Sequence, residues 1–233
     1  MTRVAVVGST GRLGQQVVRV VSAMNGFEVV AQLNSSSDLG QMDGADLVID
    51  VTRHDVSESV IARARSNGQR LLIGTSGWST ERLSTLNIRD DESVTVIPNF
   101  SLGSTVATHV SGIVARFFHE ARIDETHHVN KVDAPSGTSV RTAEVIAAER
   151  RCAPSHTEPA AGDAVVNQVP ITSHRLPDVI AKQVVTFTGN GETITVGHAT
   201  MSRDSYDDGI RASVAYAITH SGLTVGLDRV LGI

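Results

Sequence analysis

Apolar residues along this chain follow two spacings that take turns. Residues 3–7, RVAVV, form a β-branched run that predicts a buried strand, and Gly8 and Gly11 break it. Leu13, Val17, Val20, Val21 and Met24 then fall on one helix face, which Asn25-Gly26 ends. FEVVAQL (27–33) and ADLVIDVT (45–52) predict two more strands, and SVIARARSNG (59–68) a helix. RLLIGTSG (70–77) predicts a strand running into glycine, and SVTVIPNFS (93–101) closes the series. Strands alternating with helices over short connections predict a Rossmann-like α/β class with a parallel, doubly wound sheet.

The pattern changes near residue 101. THVSGIVARFF (108–118) predicts a helix, ARIDETHHV (121–129) a strand and TSVRTAEVIAAERR (138–151) a helix. Residues 152–170 hold three of the six prolines and are expected as a surface loop. VPITSHRL, KQVVTFTG and ETITVGHATM predict successive antiparallel strands, with Gly-Asn-Gly (189–191) as a hairpin turn. Residues 207–220 are helical again. The expected organisation is a nucleotide-type domain over 1–101 and 210–233, with an inserted α+β domain over 102–209.

Composition narrows the function classes. Of 233 residues, 40% are hydrophobic and 19% charged, as in ordinary globular chains. Aromatics at 3% are too few for a base-stacking platform, and a net charge of -5 argues against a phosphate-backbone binder, so no nucleic-acid partner is expected. No apolar run approaches a membrane span, and MTRVAVVGSTG has no apolar signal core, so neither membrane nor export is expected. The single cysteine, Cys152, excludes an intramolecular disulfide and fits a cytoplasmic chain. His109, His119, His156 and His220 have no neighbours at metal-ligand spacing, and no metal site is expected.

The glycine loop is the first chemical signal. VVGSTGRLG follows the first strand and opens a helix, so backbone N–H groups of Gly8, Ser9, Thr10, Gly11, Arg12 and Leu13 are placed for a pyrophosphate. The spacing, G-x-x-G-x-x-G, is looser than the usual fingerprint, and such a turn also occurs as pure structure. A short-chain dehydrogenase needs a tyrosine with a lysine four residues on. Here Tyr206 and Tyr216 are followed at that spacing by Ile210 and His220, so that active site is missing.

ETHHVNKVDAPSGT (125–138) is the second signal. Adjacent histidines on a strand point to opposite faces, and one packed with one solvated would need no chemistry. Taken with the glycine loop, however, HHVNKVDAPSGT resembles the signature of the dihydrodipicolinate reductases of bacterial and plant lysine synthesis. GSTGRLG, DVTR (50–53), GTSG (74–77), NFSLG (99–103) and SHR (173–175) match in the same order, so the resemblance covers nearly the whole chain. It departs at Val51, where the family usually has an aromatic, at His54, often proline, and over 175–183, which lacks the family's glycines and histidine.

The resemblance implies NAD(P)H-dependent reduction of 4-hydroxy-tetrahydrodipicolinate, a small dicarboxylate, by a homotetramer joined through the sheet of the inserted domain. It assigns proton donation to His127, charge and a proton-donor role to Lys131, and substrate contacts to His128, Ser136, Gly137 and Thr138. On the cofactor side it implicates Thr52 and Arg53, then Gly74, Thr75 and Ser76, then Pro98, Asn99, Phe100 and Ser101. The last two groups lie where strands end in an open sheet. Arg203 either lines the substrate entrance or is structural. Asn34 stands where NAD-selective chains place an acid, followed by Ser35, and Arg12 is within reach of a 2′-phosphate. Both NADH and NADPH are expected to work, with a modest lean to NADPH. The alternatives are a nucleotide-sensing binding protein on the same fold, or a reductase of another imino or amino acid. One geometric demand follows. An extended strand would hold His127 and Lys131 roughly 13 Å apart, so the chain must bend after His128 for both to touch one ring.

Overall fold

In the computed structural model, which describes residues 1–151 and 158–233, the chain begins β1 (Thr2–Val7), α1 (Arg12–Ser22), β2 (Phe27–Leu33), β3 (Leu47–Asp50). It continues with α2 (His54–Ser66), β4 (Arg70–Ile73), α3 (Thr80–Thr85) and β5 (Ser93–Val96). Next come α4 (Leu102–Ala115), β6 (Glu120–His128), α5 (Gly137–Glu149), β7 (Ala164–Val166), β8 (Val169–Leu176), β9 (Ala181–Thr188) and β10 (Thr193–Thr200). The chain closes with α6 (Asp207–Ala217), β11 (Gly222–Val225) and α7 (Leu227–Leu231). Met1–Phe100 with Tyr206–Ile233 form one unit and Ser101–Ser205 the other.

The first unit is a six-stranded sheet in the order β11-β5-β4-β3-β1-β2, parallel throughout. All four residues of β3 and of β5 are buried, the polar Asp50, Ser93 and Thr95 included, as in a parallel sheet covered on both faces. Ile49, Leu71, Leu72 and Ile73 are fully enclosed, and each such side chain contributes about 1.5–3 kcal/mol. The sheet order reverses at β1, with β2 on one side and β3 on the other. The crevice at the C-terminal ends of β1 and β3 is therefore the switch point where such sheets bind ligands.

Several elements were not in the hydrophobic pattern. Helix α1 stops at Ser22, short of Met24, and α2 begins at His54 rather than 59. Helix α4 begins at Leu102, because Ser101 caps it by accepting from the Ser104 N–H. Helix α3, also capped by a serine (Ser79), and the short β11 and α7 carry too few apolar positions to show a period. The units also divide at slightly different points from the expected domains. Ser101 goes with the helix it caps, and residues 206–209 go with the first unit, where α6 starts.

The second unit is a mixed five-stranded sheet, β10-β9-β6-β8-β7, with α4 and α5 packed on one face. Ala121 and Ile123 of β6 meet Ala143 and Ile146 of α5 in its core. The three strands expected as successive and antiparallel do alternate in direction, and β9 and β10 form the expected hairpin, but β8 and β9 are not neighbours. Strand β6 lies between β8 and β9, parallel to the first and antiparallel to the second. A strand's own pattern reports its faces, not which neighbour it pairs with. The expected loop over 152–170 is also revised, since Ala164–Val166 pair with β8 across a two-residue turn at Asn167 and Gln168, both at positive φ. Cys152 and His156 lie outside the described residues. Among the described residues, no helix is long and apolar enough to cross a membrane, and no three His, Cys, Asp or Glu side chains are grouped to hold a metal.

Candidate active site

Period-two geometry puts Glu125 and His127 on the same face of β6 as Ala121 and Ile123. Glu125 is fully buried, and burial alone would raise its pKa. Hydrogen bonds from Ser173, His127 and Arg175 outweigh burial and hold the carboxyl below its ordinary range, so it is ionised. Arg175 stands opposite His127 in the β6–β8 register and grips the carboxylate with Nη1 at 3.0 and 3.1 Å and Nη2 at 3.0 Å. His127 Nδ1 makes a short contact with Glu125 Oε2. Burial pushes the His127 pKa down, Glu125 opposes that, and Lys131 and Arg175 add to the depression, leaving it below the ordinary value.

The chain bends just after His128. Strand β6 ends at His128, and the Lys131 N–H donates to the His128 carbonyl at 3.1 Å, turning Lys131 back toward His127. Lys131 Nζ pairs with Asp133 at 2.8 Å, and Arg175 also donates to the carbonyls of Lys131 and Asp133, pinning the turn. Ser136 caps α5, and its N–H reaches Glu125 Oε1 at 3.3 Å. Gly137 and Thr138 form the first turn of that helix, and the Gly137 N–H donates to the Asp133 carboxylate, so this helix start already takes an anion. Behind the cap, Ser136, Ser139, Gln183, Thr142 and Thr108 form a continuous hydrogen-bonded chain that ties α4, α5 and β9 together. His128 is exposed at the strand end, apart from the Glu125 cluster.

In the first unit, the glycine loop fits a dinucleotide. Gly8 has φ +89°, and a Cβ on Gly14 would sit 2.0 Å from the Gly8 carbonyl oxygen, so loop and helix approach in a way that only glycine allows. Gly11 offers no side-chain cap, and the first N–H groups of α1, those of Arg12 and Leu13, are left for an anion. Arg12 and Thr10 are exposed beside them. Ser9 is spent on the fold, its N–H and hydroxyl both donating to the Leu33 carbonyl.

At the end of β2, Asn34 Oδ1 accepts from the Ser36 N–H and from the Ser36 and Ser37 hydroxyls, which leaves its NH₂ as the group to offer, beside exposed Ser35. Asp38 is occupied in accepting from the Gly40 N–H at 2.6 Å. Buried Asp50 ends β3 and accepts from Thr52 N–H and Oγ1, Thr75 Oγ1 and, in a short contact, Ser57 Oγ. It thereby fixes the two loops that carry Thr52, Arg53, Gly74, Thr75 and Ser76. Arg53 pairs with Asp55 in solvent, and Phe100 packs its ring against Gly74. Pro98 is exposed and Asn99 half-buried on the segment leaving β5. Ser101 belongs to the other unit, where it meets His198 Nε2 at 3.2 Å.

Sequence reasoning passed over Glu125, Arg175 and Asp50. Glu125 was within reach of it, standing two residues before His127 and so on the same strand face. The partnership with Arg175 required knowing that β8 lies beside β6.

The chain matches the family models described as dihydrodipicolinate reductase, N-terminus, over residues 2–100, and dihydrodipicolinate reductase, C-terminus, over residues 101–231. It is 42% identical over 241 residues to the 4-hydroxy-tetrahydrodipicolinate reductase of Clavibacter michiganensis subsp. michiganensis, covering 100% of this chain and 87% of the relative. It is 38% identical over 245 residues to the enzyme of the same name from Cutibacterium acnes, covering 100% of both. Among solved structures, the dipicolinate-bound dihydrodipicolinate reductase from Paenisporosarcina sp. TG-14 superposes with a TM-score of 0.84 at 27% identity, over 98% of this chain and 99% of that one.

Proposed function

The chain belongs to the dihydrodipicolinate reductase family, and we propose from that premise that it reduces 4-hydroxy-tetrahydrodipicolinate to tetrahydrodipicolinate and water. It is an NAD(P)H-dependent oxidoreductase of diaminopimelate and lysine biosynthesis. The observation that carries this reading for the chain itself is the gathering of His127, Lys131 and the Ser136–Thr138 helix start around one buried carboxylate.

When bound at the glycine loop, the dinucleotide supplies the hydride. The residues of the chain do the rest. The N–H groups of Gly137 and Thr138 and the Lys131 ammonium hold the substrate carboxylates, with Lys131 and Gly137 exchanging Asp133 for substrate. The substrate's 4-hydroxyl leaves as water with a hydrogen of the neighbouring carbon, forming a double bond; hydride goes to one carbon of that bond and His127 delivers a proton from Nε2 to the other. In the resting state its depressed pKa leaves it mostly neutral at pH 7. Two substrate carboxylates nearby offset Lys131 and Arg175, and so favour the protonated imidazole when it is needed. His128 contacts the substrate from the strand end.

The cofactor preference in this proposal is dual, with NADPH modestly favoured. Its support is the Asn34 amide facing out with no acid beside it, Asp38 being committed to Gly40, and Arg12 standing exposed at the loop. Metabolic role implies a cytoplasmic enzyme, and the family resemblance implies a homotetramer. Oxidation of NADPH or NADH by the purified protein with freshly made 4-hydroxy-tetrahydrodipicolinate tests the reading. Substrate-dependent oxidation is expected. Tight dinucleotide binding without oxidation would make the chain a sensor instead, and oxidation with a different imino acid alone would move it to another reductase.

A further inference from the structure

We propose that Glu125 is the positioning residue of the site, a single carboxylate that fixes both the tautomer of His127 and the placement of the substrate-holding loop beside it. What His127 does rests on the reductase reading above, whereas how it is held rests on geometry alone. An ionised carboxylate accepts hydrogen bonds and cannot donate them. Glu125 Oε2 faces Nδ1, so Nδ1 carries the hydrogen and Nε2 is the nitrogen left to take up and release the mobile proton.

The other oxygen of the same carboxylate accepts from the Ser136 N–H, where the chain enters α5. Arg175 closes the arrangement, bound to both oxygens of Glu125 and to the carbonyls of Lys131 and Asp133. Proton source, lysine turn and helix start therefore share one anchor, and a shift of that anchor moves all three. The charged groups facing His127 are Glu125 from β6, Arg175 from β8, and Lys131, itself paired with Asp133, from the turn. Strand β9 brings Ala181 opposite His127, and the first turn of α5 (137–140) carries no ionisable side chain. Glu125 is thus the single negative charge in contact with His127 among the described residues, against two positive ones nearby.

Glu125→Gln keeps the shape but offers an amide that can donate to Nδ1, reversing the tautomer. It should lower kcat about 10²-fold or more. His127→Gln should lower kcat as well, and the double variant should fall no further than His127→Gln alone, because Glu125 acts on turnover through His127. Substrate KM should rise severalfold on adding Glu125→Gln in either background, since the Ser136 anchor is lost. Losses in kcat that multiply would mark Glu125 as merely structural and overturn the tautomer assignment, and an unchanged KM would overturn the loop assignment. Removing the charge leaves Arg175 without its buried partner, so the variant risks misfolding. Nitrogen NMR of labelled imidazoles in the wild type keeps the proposal testable: hydrogen on His127 Nδ1 is expected, and hydrogen on Nε2 alone overturns it. This readout needs no substrate. A wild type that fails to turn over would sink the reductase reading and leave the tautomer result standing.

Discussion

Glu125 and Asp50 are two fully buried carboxylates at or near strand ends, one in each unit, and their partners differ in kind. Asp50 accepts from three hydroxyls and one backbone N–H, with no cation among its hydrogen bonds to described residues. Glu125 accepts from a hydroxyl and a backbone N–H as well, and adds a guanidinium and an imidazole. Either set satisfies a buried charge that would otherwise be costly. Hydroxyl and amide donors do not change protonation near neutrality, so Asp50 holds loops and nothing more. An imidazole does change, so the Glu125 cluster can hold shape and also handle a proton. One carboxylate fixes two loops, and the other joins an imidazole to a guanidinium.

The comparison breaks if the two carboxylates prove interchangeable in effect. Asp50→Asn should loosen the Thr52 and Thr75 loops together, raising cofactor KM roughly tenfold and destabilising the fold by about 2–3 kcal/mol, since bonds to charged groups contribute about 1.5–3 kcal/mol each. Initial rates and denaturant unfolding measure both. A change in the pH dependence of turnover would show that Asp50 touches the proton chemistry after all.

A smaller effect is expected in stability against pH. The pKa values of Glu125 and His127 are both lowered in the folded chain, so the unfolded chain binds protons more readily. Stability is therefore full above the ordinary histidine value of 6.5 and falls as pH drops. The His127 share goes first and the Glu125 share goes below the ordinary 4.5. Half-buried His198, also lowered by burial, contributes in the same upper window. Thermal melts should show His127→Gln losing less stability than wild type in that upper window while keeping the acid loss. Equal slopes in the two proteins would mean that His127 gains its proton freely in the folded state.

The smallest effect belongs to the glycine loop. Arg12→Ala should lower kcat/KM for NADPH by tenfold or less, because one exposed charge contact is worth ~1 kcal/mol, and should leave NADH nearly unchanged. Steady-state rates with the two cofactors decide it, and equal losses would remove Arg12 from phosphate recognition.

How much of this was legible beforehand depended on how local the information is. Strands buried on both faces announce themselves as apolar runs, as residues 4–7 and 71–73 do, and the glycine loop is a local consequence of one tight turn. The histidine–lysine stretch was readable as chemistry, including the need for a bend that the turn from His128 to Lys131 supplies. Pairings across the sheet were not readable. Arg175 meets Glu125 because β8 lies beside β6, fifty residues away in the chain. Asn167-Gln168 makes a hairpin turn without the glycine that would have signalled it, so β7 was hidden. Asp50 looked like one more polar end to an apolar strand until its hydroxyl partners from two other segments were in view.

The most direct test of the account is the pH dependence of kcat/KM for wild type beside His127→Gln. A general acid must be protonated to act, so wild-type kcat/KM should fall as pH rises through the depressed pKa of His127. His127→Gln should be slower by about 10²–10⁴-fold and lack that limb, while ionisations belonging to substrate or cofactor persist in both profiles. The same limb in the variant, or turnover close to wild type, would contradict proton delivery by His127.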